Sequence, residues 1–209
     1  MMHRCFPSVY WHFSVGKVDL DDLVEKCVIL NGEWNCLVKT SRGIKYDWSR
    51  FIAAIHPYFM QLPFKRDGTL QFNSPWMNVY TQGCYQEAHH HVASGNQLSY
   101  CYFHKLPEGS GKFGFWNDNY RNYCNNWFSE TLAIEGLVEW GFPDVAEGDL
   151  LIFPSFMIHQ VTYQTTKEHR VTVAGNVVMT TAKAAIPNSN DSVTGTMVNR
   201  PAVMAGSGN

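Results

Sequence analysis

Apolar residues recur at three- and four-residue intervals from Val18 to Cys27, behind the acidic starters Asp19, Asp21 and Asp22. That spacing predicts an amphipathic helix whose N-terminal dipole favours those carboxylates. A second helix is predicted from Asp47 to Ile55, ending where Pro57 disfavours helical geometry for His56. From Thr69 the period shortens. Short β-rich runs at 69–73, 76–82, 97–104, 112–116, 131–140, 149–153, 158–164 and 169–179 are separated by Gly, Pro and Asn. The last run alternates cleanly. Val171, Val173 and Val177 point one way, while Arg170, Thr172, Ala174 and Asn176 point the other, giving one oily face and one polar face.

So many short strands predict a mainly β fold, a sandwich or jelly roll, behind N-terminal helices. The division expected is residues 1–68 as a helical and β support region, 69–179 as the core, and 180–209 as a polar tail. The tail is rich in Ala, Asn, Ser, Thr and Gly and offers little apolar area to offset its ordering entropy.

Composition adds exclusions. The chain has 209 residues, 45% of them apolar, enough for a substantial core. Seven Trp, ten Tyr and thirteen Phe suit wide side chains stacked between sheets. Sixteen basic against eighteen acidic residues leave no broad footprint for nucleic acid or an anionic membrane. The N-terminus lacks the apolar run of a secretion signal, and no apolar window is long enough to span a bilayer. Six cysteines stand singly with no C-x-x-C pair, as in reduced intracellular proteins. A soluble cytoplasmic protein is expected, with a homo-oligomer left open.

The chemistry concentrates in a few residues. If His89-His90-His91 is extended, His89 and His91 share a face and can clasp one ion while His90 points away. His159, after the turn signal Glu147-Gly148-Asp149 and the strand Leu150–Phe153, is the candidate third ligand. Imidazole suits iron, zinc, copper and nickel alike, so ligand type alone does not name the metal. Arg170 lies eleven positions beyond His159, with Thr172 two places on, and a guanidinium fork binds a carboxylate bidentately. A dicarboxylate could bridge metal and arginine.

These residues resemble the iron(II)- and 2-oxoglutarate-dependent oxygenases, whose motif runs His-x-Asp/Glu, a distal His, then an Arg about ten residues on, often with Ser or Thr two places later. Here it reads His89-x-His91, His159 and Arg170-x-Thr172. The chain is also similar to a phage and bacterial group of that family, through Trp76-x-Asn78, Leu98-Ser99-x-x-Tyr102, Phe153-Pro154-Ser155 and Asn176. The resemblance covers roughly residues 76–178. It implies a double-stranded β-helix (jelly-roll or cupin-like) core, iron(II) on His89, His91 and His159, 2-oxoglutarate as cosubstrate on Arg170 and Thr172, and dioxygen as oxidant. Asn78, Tyr80 and Asn176 are further candidates for holding the cosubstrate, and Gln86 and Glu87 for orienting the imidazoles. The implied activity is hydroxylation of an unknown substrate, a prolyl or other protein residue being one target.

One departure stands out. His91 occupies the place where most members have a carboxylate, so Glu87, Asp118 or Asp144 is an alternative third ligand. Two competing functions follow from the residues themselves: a cupin-like three-histidine metalloenzyme acting without 2-oxoglutarate, and a jelly-roll binding module with incidental histidines. Tyr100, Tyr102, Phe113, Phe115 and Trp116 read as core in preference to a substrate cage.

Overall fold

A computed structural model describes residues 8–32, 37–65, 67–73, 75–93, 95–125, 138–181 and 192–198, the last of these as backbone only. Among them the elements run β1 (Trp11–Ser14), α1 (Asp21–Val28), β2 (Lys39–Thr40), α2 (Ser49–Phe59), β3 (Gly68–Asn73), β4 (Trp76–Tyr80) and β5 (Gln86–His89). There follow β6 (Leu98–Lys105), β7 (Phe113–Trp116), α3 (Tyr120–Asn125), β8 (Trp140–Gly141), β9 (Asp149–Pro154), β10 (His159–Val161), β11 (Arg170–Thr181) and β12 (Ser192–Val198). The run expected at 131–140 lies mostly outside the described residues.

The strands form two antiparallel sheets. The larger runs β1-β9-β6-β11-β3-β12, with β4 also on β11 and β2 on β4, and the smaller runs β5-β10-β7-β8. Period-two alternation in the large sheet decides what each layer holds. Val171, Val173 and Val177 of β11, Tyr100 and Tyr102 of β6, and Leu150 and Ile152 of β9 face α1 and α2, packing on Leu23, Phe51, Ile55 and Phe59. Their neighbours Cys101, Phe103, Leu151 and Phe153 face the small sheet, against Phe113, Phe115 and Val161. The helices therefore cover one face of the large sheet, and the two sheets enclose the site between them. This is the jelly-roll, double-stranded β-helix arrangement. Tyr100, Tyr102, Phe113 and Phe115 are core as expected, although Tyr100 and Phe113 also reach the cavity described below.

α1 starts two residues later than Asp19, with Asp21 and Asp22 in its first turn, Lys26 in its last, and Leu23 and Cys27 buried. α2 departs from expectation by running through Pro57 to Phe59. Proline in a helix interior costs about 3 kcal/mol, mostly through a lost bond to the carbonyl four residues back. Here it falls in the last turn, and full burial of Phe59 offsets the loss by roughly 2–3 kcal/mol.

Besides β2 and α3, two further short elements were not expected. β1 pairs with β9 in the register Trp11↔Ile152 to Ser14↔Asp149, and His12 Nε2 meets Asp149 Oδ2 at 2.8 Å. Their corner depends on Gly148, at φ +87°, whose carbonyl accepts from the Val15 and Gly16 amides. A side chain there would be strained and would press on the Gly16 backbone at 2.9 Å. β5 is the other, and it carries His89. Residues 192–198, within the segment read as tail, pair with β3 as an edge strand.

Candidate metal and cosubstrate site

β5 and β10 are adjacent antiparallel strands, and their register sets His89 directly opposite His159. The two rings lie 4.3 Å apart. His91, just past the end of β5, is held by its own amide donating to the Ser155 carbonyl at 2.9 Å. Its ring is 5.1 Å from that of His89 and 5.0 Å from that of His159. One ligand atom from each of the three lies within 4.8 Å of the other two. Among the described residues no carboxylate joins this group. Glu87 contributes its backbone, and Asp144 lines a different cleft.

Each imidazole is fixed by its Nδ1 nitrogen. In His89 that nitrogen lies 2.7 Å from the Glu87 carbonyl, and in His159 it lies 2.9 Å from the Met157 carbonyl, both two residues upstream. A carbonyl oxygen only accepts, so Nδ1 carries the hydrogen and Nε2 is the free donor pair. His91 differs. Its Nδ1 lies 2.7 Å from Oδ1 of Asn176, eighty-five positions away on β11. Such partners set ring orientation and basicity in metal sites generally.

Burial keeps the three rings neutral. Desolvation lowers the pKa of His89, lowers that of His91 to about 4 and that of His159 to about 3. Hydrogen bonds to Glu87, Asn176 and Met157 oppose the shift in each case, and the neighbouring histidines add to it at His91 and His159. Neutral imidazoles with outward lone pairs are the form a metal requires.

The cluster opens on a cavity of about 380 Å³ between the sheets. Asn78, Tyr80, Thr172 and Asn176, all singled out in the sequence, line it together with Gln86, Glu87 and Cys101. Strand register explains the grouping, because Tyr80 and Asn78 pair across with Arg170 and Thr172, and Cys101 with Ala174. Asn176 lines the cavity, but its amide oxygen is turned to His91 and also accepts from Ser99 Oγ at 2.8 Å. Sequence reasoning names it among the candidates for holding the cosubstrate, a role separate from this contact. The preference for His91 comes from a long-range contact with no local signature.

Arg170 is on the same strand face one step beyond Thr172, fully buried, and is not itself among the cavity-lining groups. Its guanidinium stacks on the ring of cavity-lining Tyr80 at 4.8 Å and on Phe103 at 5.6 Å. Nε, Nη1 and Nη2 are all buried without a hydrogen-bond partner among the described residues. A cation in that condition is costly unless an anion completes it. The orphaned fork therefore suits the carboxylate of 2-oxoglutarate, as the three-imidazole donor set suits a first-row divalent metal. Cys101 shares the pocket. Burial pushes its thiol up to about 11, against the opposing pull of Arg170 and Thr172.

Comparison with known proteins agrees with this geometry. Residues 74–176 match the model of the family described as "Putative 2OG-Fe(II) oxygenase". No curated protein matches the chain in sequence. Among solved structures, the non-heme alpha ketoglutarate dependent epimerase SnoN from nogalamycin biosynthesis aligns at TM-score 0.56 and 12% identity, over 92% of this chain and 94% of that one. HygX from Streptomyces hygroscopicus, with nickel and 2-oxoglutarate bound, aligns at 0.55 and 10%, covering 82% and 83%. A prolyl-4-hydroxylase from Pseudomonas putida aligns at 0.52 and 12%, covering 82% and 93%. Identities this low show a shared fold. Among the described residues no helix is long and apolar enough to cross a membrane. The segment from 74 to 176 belongs to the 2OG-Fe(II) oxygenase family, whose members use iron(II), 2-oxoglutarate and dioxygen.

Proposed function

We propose that His89, His91 and His159 hold iron(II) through Nε2, and that Arg170, helped by Thr172, takes the distal carboxylate of 2-oxoglutarate. The observation that carries this reading is the buried, unpartnered guanidinium on the same strand face as a three-histidine cavity. Either feature alone has an ordinary structural explanation. A metal-only site gives no reason to bury a cation with three unsatisfied nitrogens.

Bound together, the metal, 2-oxoglutarate and dioxygen supply oxidative decarboxylation of the keto acid to succinate, coupled to oxidation of a second substrate. The chain's own part is placement and exclusion of water. The Glu87 and Met157 carbonyls hold two rings in one tautomer, Asn176 holds the third, and Tyr80 keeps the guanidinium flat at the pocket wall. Asn78 stands opposite Thr172 and is placed to donate to the cosubstrate. Phe113 and Phe153 pack on the His159 ring and keep that side dry. We take the reaction to be hydroxylation. A prolyl residue of a protein is a candidate target, by analogy with the Pseudomonas putida enzyme that shares this fold. Localisation in the cytoplasm fits the unpaired cysteines described.

The test is anaerobic addition of iron(II) and then 2-oxoglutarate to the metal-free protein. A visible charge-transfer band that requires both additions is the expected result, with 2-oxoglutarate affinity lost in Arg170→Ala. Metal binding that 2-oxoglutarate leaves undisturbed would instead favour the three-histidine enzyme without a keto acid. A folded protein that takes up no metal would favour the binding module.

A further inference from the structure

We infer that Asn176 is a positioning residue that fixes His91 as a metal ligand, through a hydrogen-bonded relay running Ser155–Ser99–Asn176–His91. The inference rests on the proposed metal site and deepens it. His89 and His159 are oriented by carbonyls of their own strands, so their geometry comes with the local backbone. His91 sits outside any strand and has no such support. Among the described residues, its one ring hydrogen bond is the 2.7 Å contact to Asn176 Oδ1.

The relay is directional. Asn176 Oδ1 accepts from His91 Nδ1 and, at 2.8 Å, from Ser99 Oγ. Ser99 has thereby used its hydrogen, so the 2.9 Å contact with Ser155 Oγ must have Ser155 as donor. Both contacts fall on Oδ1, so the side chain is held at two points. Ser99 and Ser155 are 0% and 1% exposed, so the serine end of the relay is shielded from competing water. The Ser155 carbonyl also accepts from the His91 amide, so the relay holds both the ring and the backbone of His91. Because His91 takes the place of a carboxylate ligand, Asn176 governs how basic that replacement is.

The experiment is titration of metal-free wild type and the variants Asn176→Ala, Asn176→Leu and Asn176→Asp with nickel(II), read by calorimetry, with thermal melting as a fold control. The cobalt(II) ligand-field spectrum gives a second readout. A positioning role predicts that Ala and Leu each weaken nickel binding about 10–100-fold. Asp, which keeps the acceptor and adds charge, restores or exceeds wild-type affinity. A filler role predicts the reverse, with Leu tolerated and buried Asp harmful. Wild-type affinity in Asn176→Leu overturns the inference. If wild type itself binds no nickel, the proposed metal site fails, and that outcome is distinct from equal binding by all four proteins. Should the variants not fold, imidazole nitrogen spectra of zinc-loaded wild type read the same contact. A proton on Nδ1 of His91 is expected, and one on Nε2 overturns the inference.

Discussion

Replacing Arg170 by methionine separates what the residue costs the fold from what it does for a ligand. The guanidinium is 0% exposed, and none of its three nitrogens has a hydrogen-bond partner among the described residues. One buried unsatisfied polar group costs roughly 1–3 kcal/mol, so a charged group with three of them stands at several. Stacking on Tyr80 and Phe103 returns about 1–2 kcal/mol. Methionine fills a similar volume with nothing to satisfy, so the metal-free variant gains about 2 kcal/mol, or about 4–8 °C in Tm for a chain of this length. Ligand binding moves the other way. Loss of a buried charge-assisted pair costs about 2–5 kcal/mol, raising the Kd for 2-oxoglutarate at least about 30-fold. At a concentration of 100 Kd, 2-oxoglutarate adds about 2.7 kcal/mol to wild type and under about 1 kcal/mol to the variant. Melting of both proteins, with and without nickel(II) and 2-oxoglutarate, measures all four states. A metal-free variant that melts below wild type, or an equal gain from 2-oxoglutarate in both, refutes the reasoning.

Further expectations follow from other contacts. Gly175→Ala puts a Cβ 2.3 Å from the hydroxyl of fully buried Tyr100, so urea unfolding should show a loss of about 2–3 kcal/mol, partly recovered by adding Tyr100→Leu. In the metal-free protein, folding lowers the pKa of His91 to about 4 and that of His159 to about 3, so the unfolded chain binds protons first as pH falls below the ordinary value of 6.5. Stability should be fully present above pH 6.5 and fall towards pH 4 by up to about 2.7 kcal/mol per pH unit from this pair, a slope that chemical denaturation at stepped pH would measure. With its thiol near 11 in place of 9.0, Cys101 should react with N-ethylmaleimide roughly a hundredfold more slowly in the native than in the unfolded protein, as read by mass spectrometry of quenched samples.

Much of this architecture can be read from residue order, and the exceptions have physical causes. The alternation of β11 announces two faces, and the structure gives Val171, Val173 and Val177 to the helical side and Thr172, Ala174 and Asn176 to the cavity. β5 escapes notice because Gln86-Glu87-Ala88-His89 contains no β-branched or aromatic residue, and only pairing with β10 makes it a strand. Pro57 misleads as a helix stop because burial of Phe59 outweighs a local preference. The spacing of His159 and Arg170 suggests a shared site. It does not reveal that Arg170 is sunk behind Tyr80, which depends on the β4 to β11 register.

Charge accounting links these observations to function. A divalent ion on two imidazoles and a carboxylate, with doubly charged 2-oxoglutarate, carries one net negative charge, whereas His91 in the carboxylate's place leaves the assembly neutral. Three depressed histidines contribute no charge of their own at neutral pH, so in the proposed assembly the fixed charge of Arg170 is left to meet the cosubstrate. A neutral ligand set donates less to the ion than one containing an anion. The hydrogen bond from His91 to Asn176 supplies the compensation open to an imidazole, since an acceptor at Nδ1 makes Nε2 more basic. The same bond explains why a cavity-lining amide and two buried serines stand where apolar packing would cost the fold less. On this reading the metal set and the relay form one unit, in which electron density that a carboxylate would give directly is passed through a ring from β11.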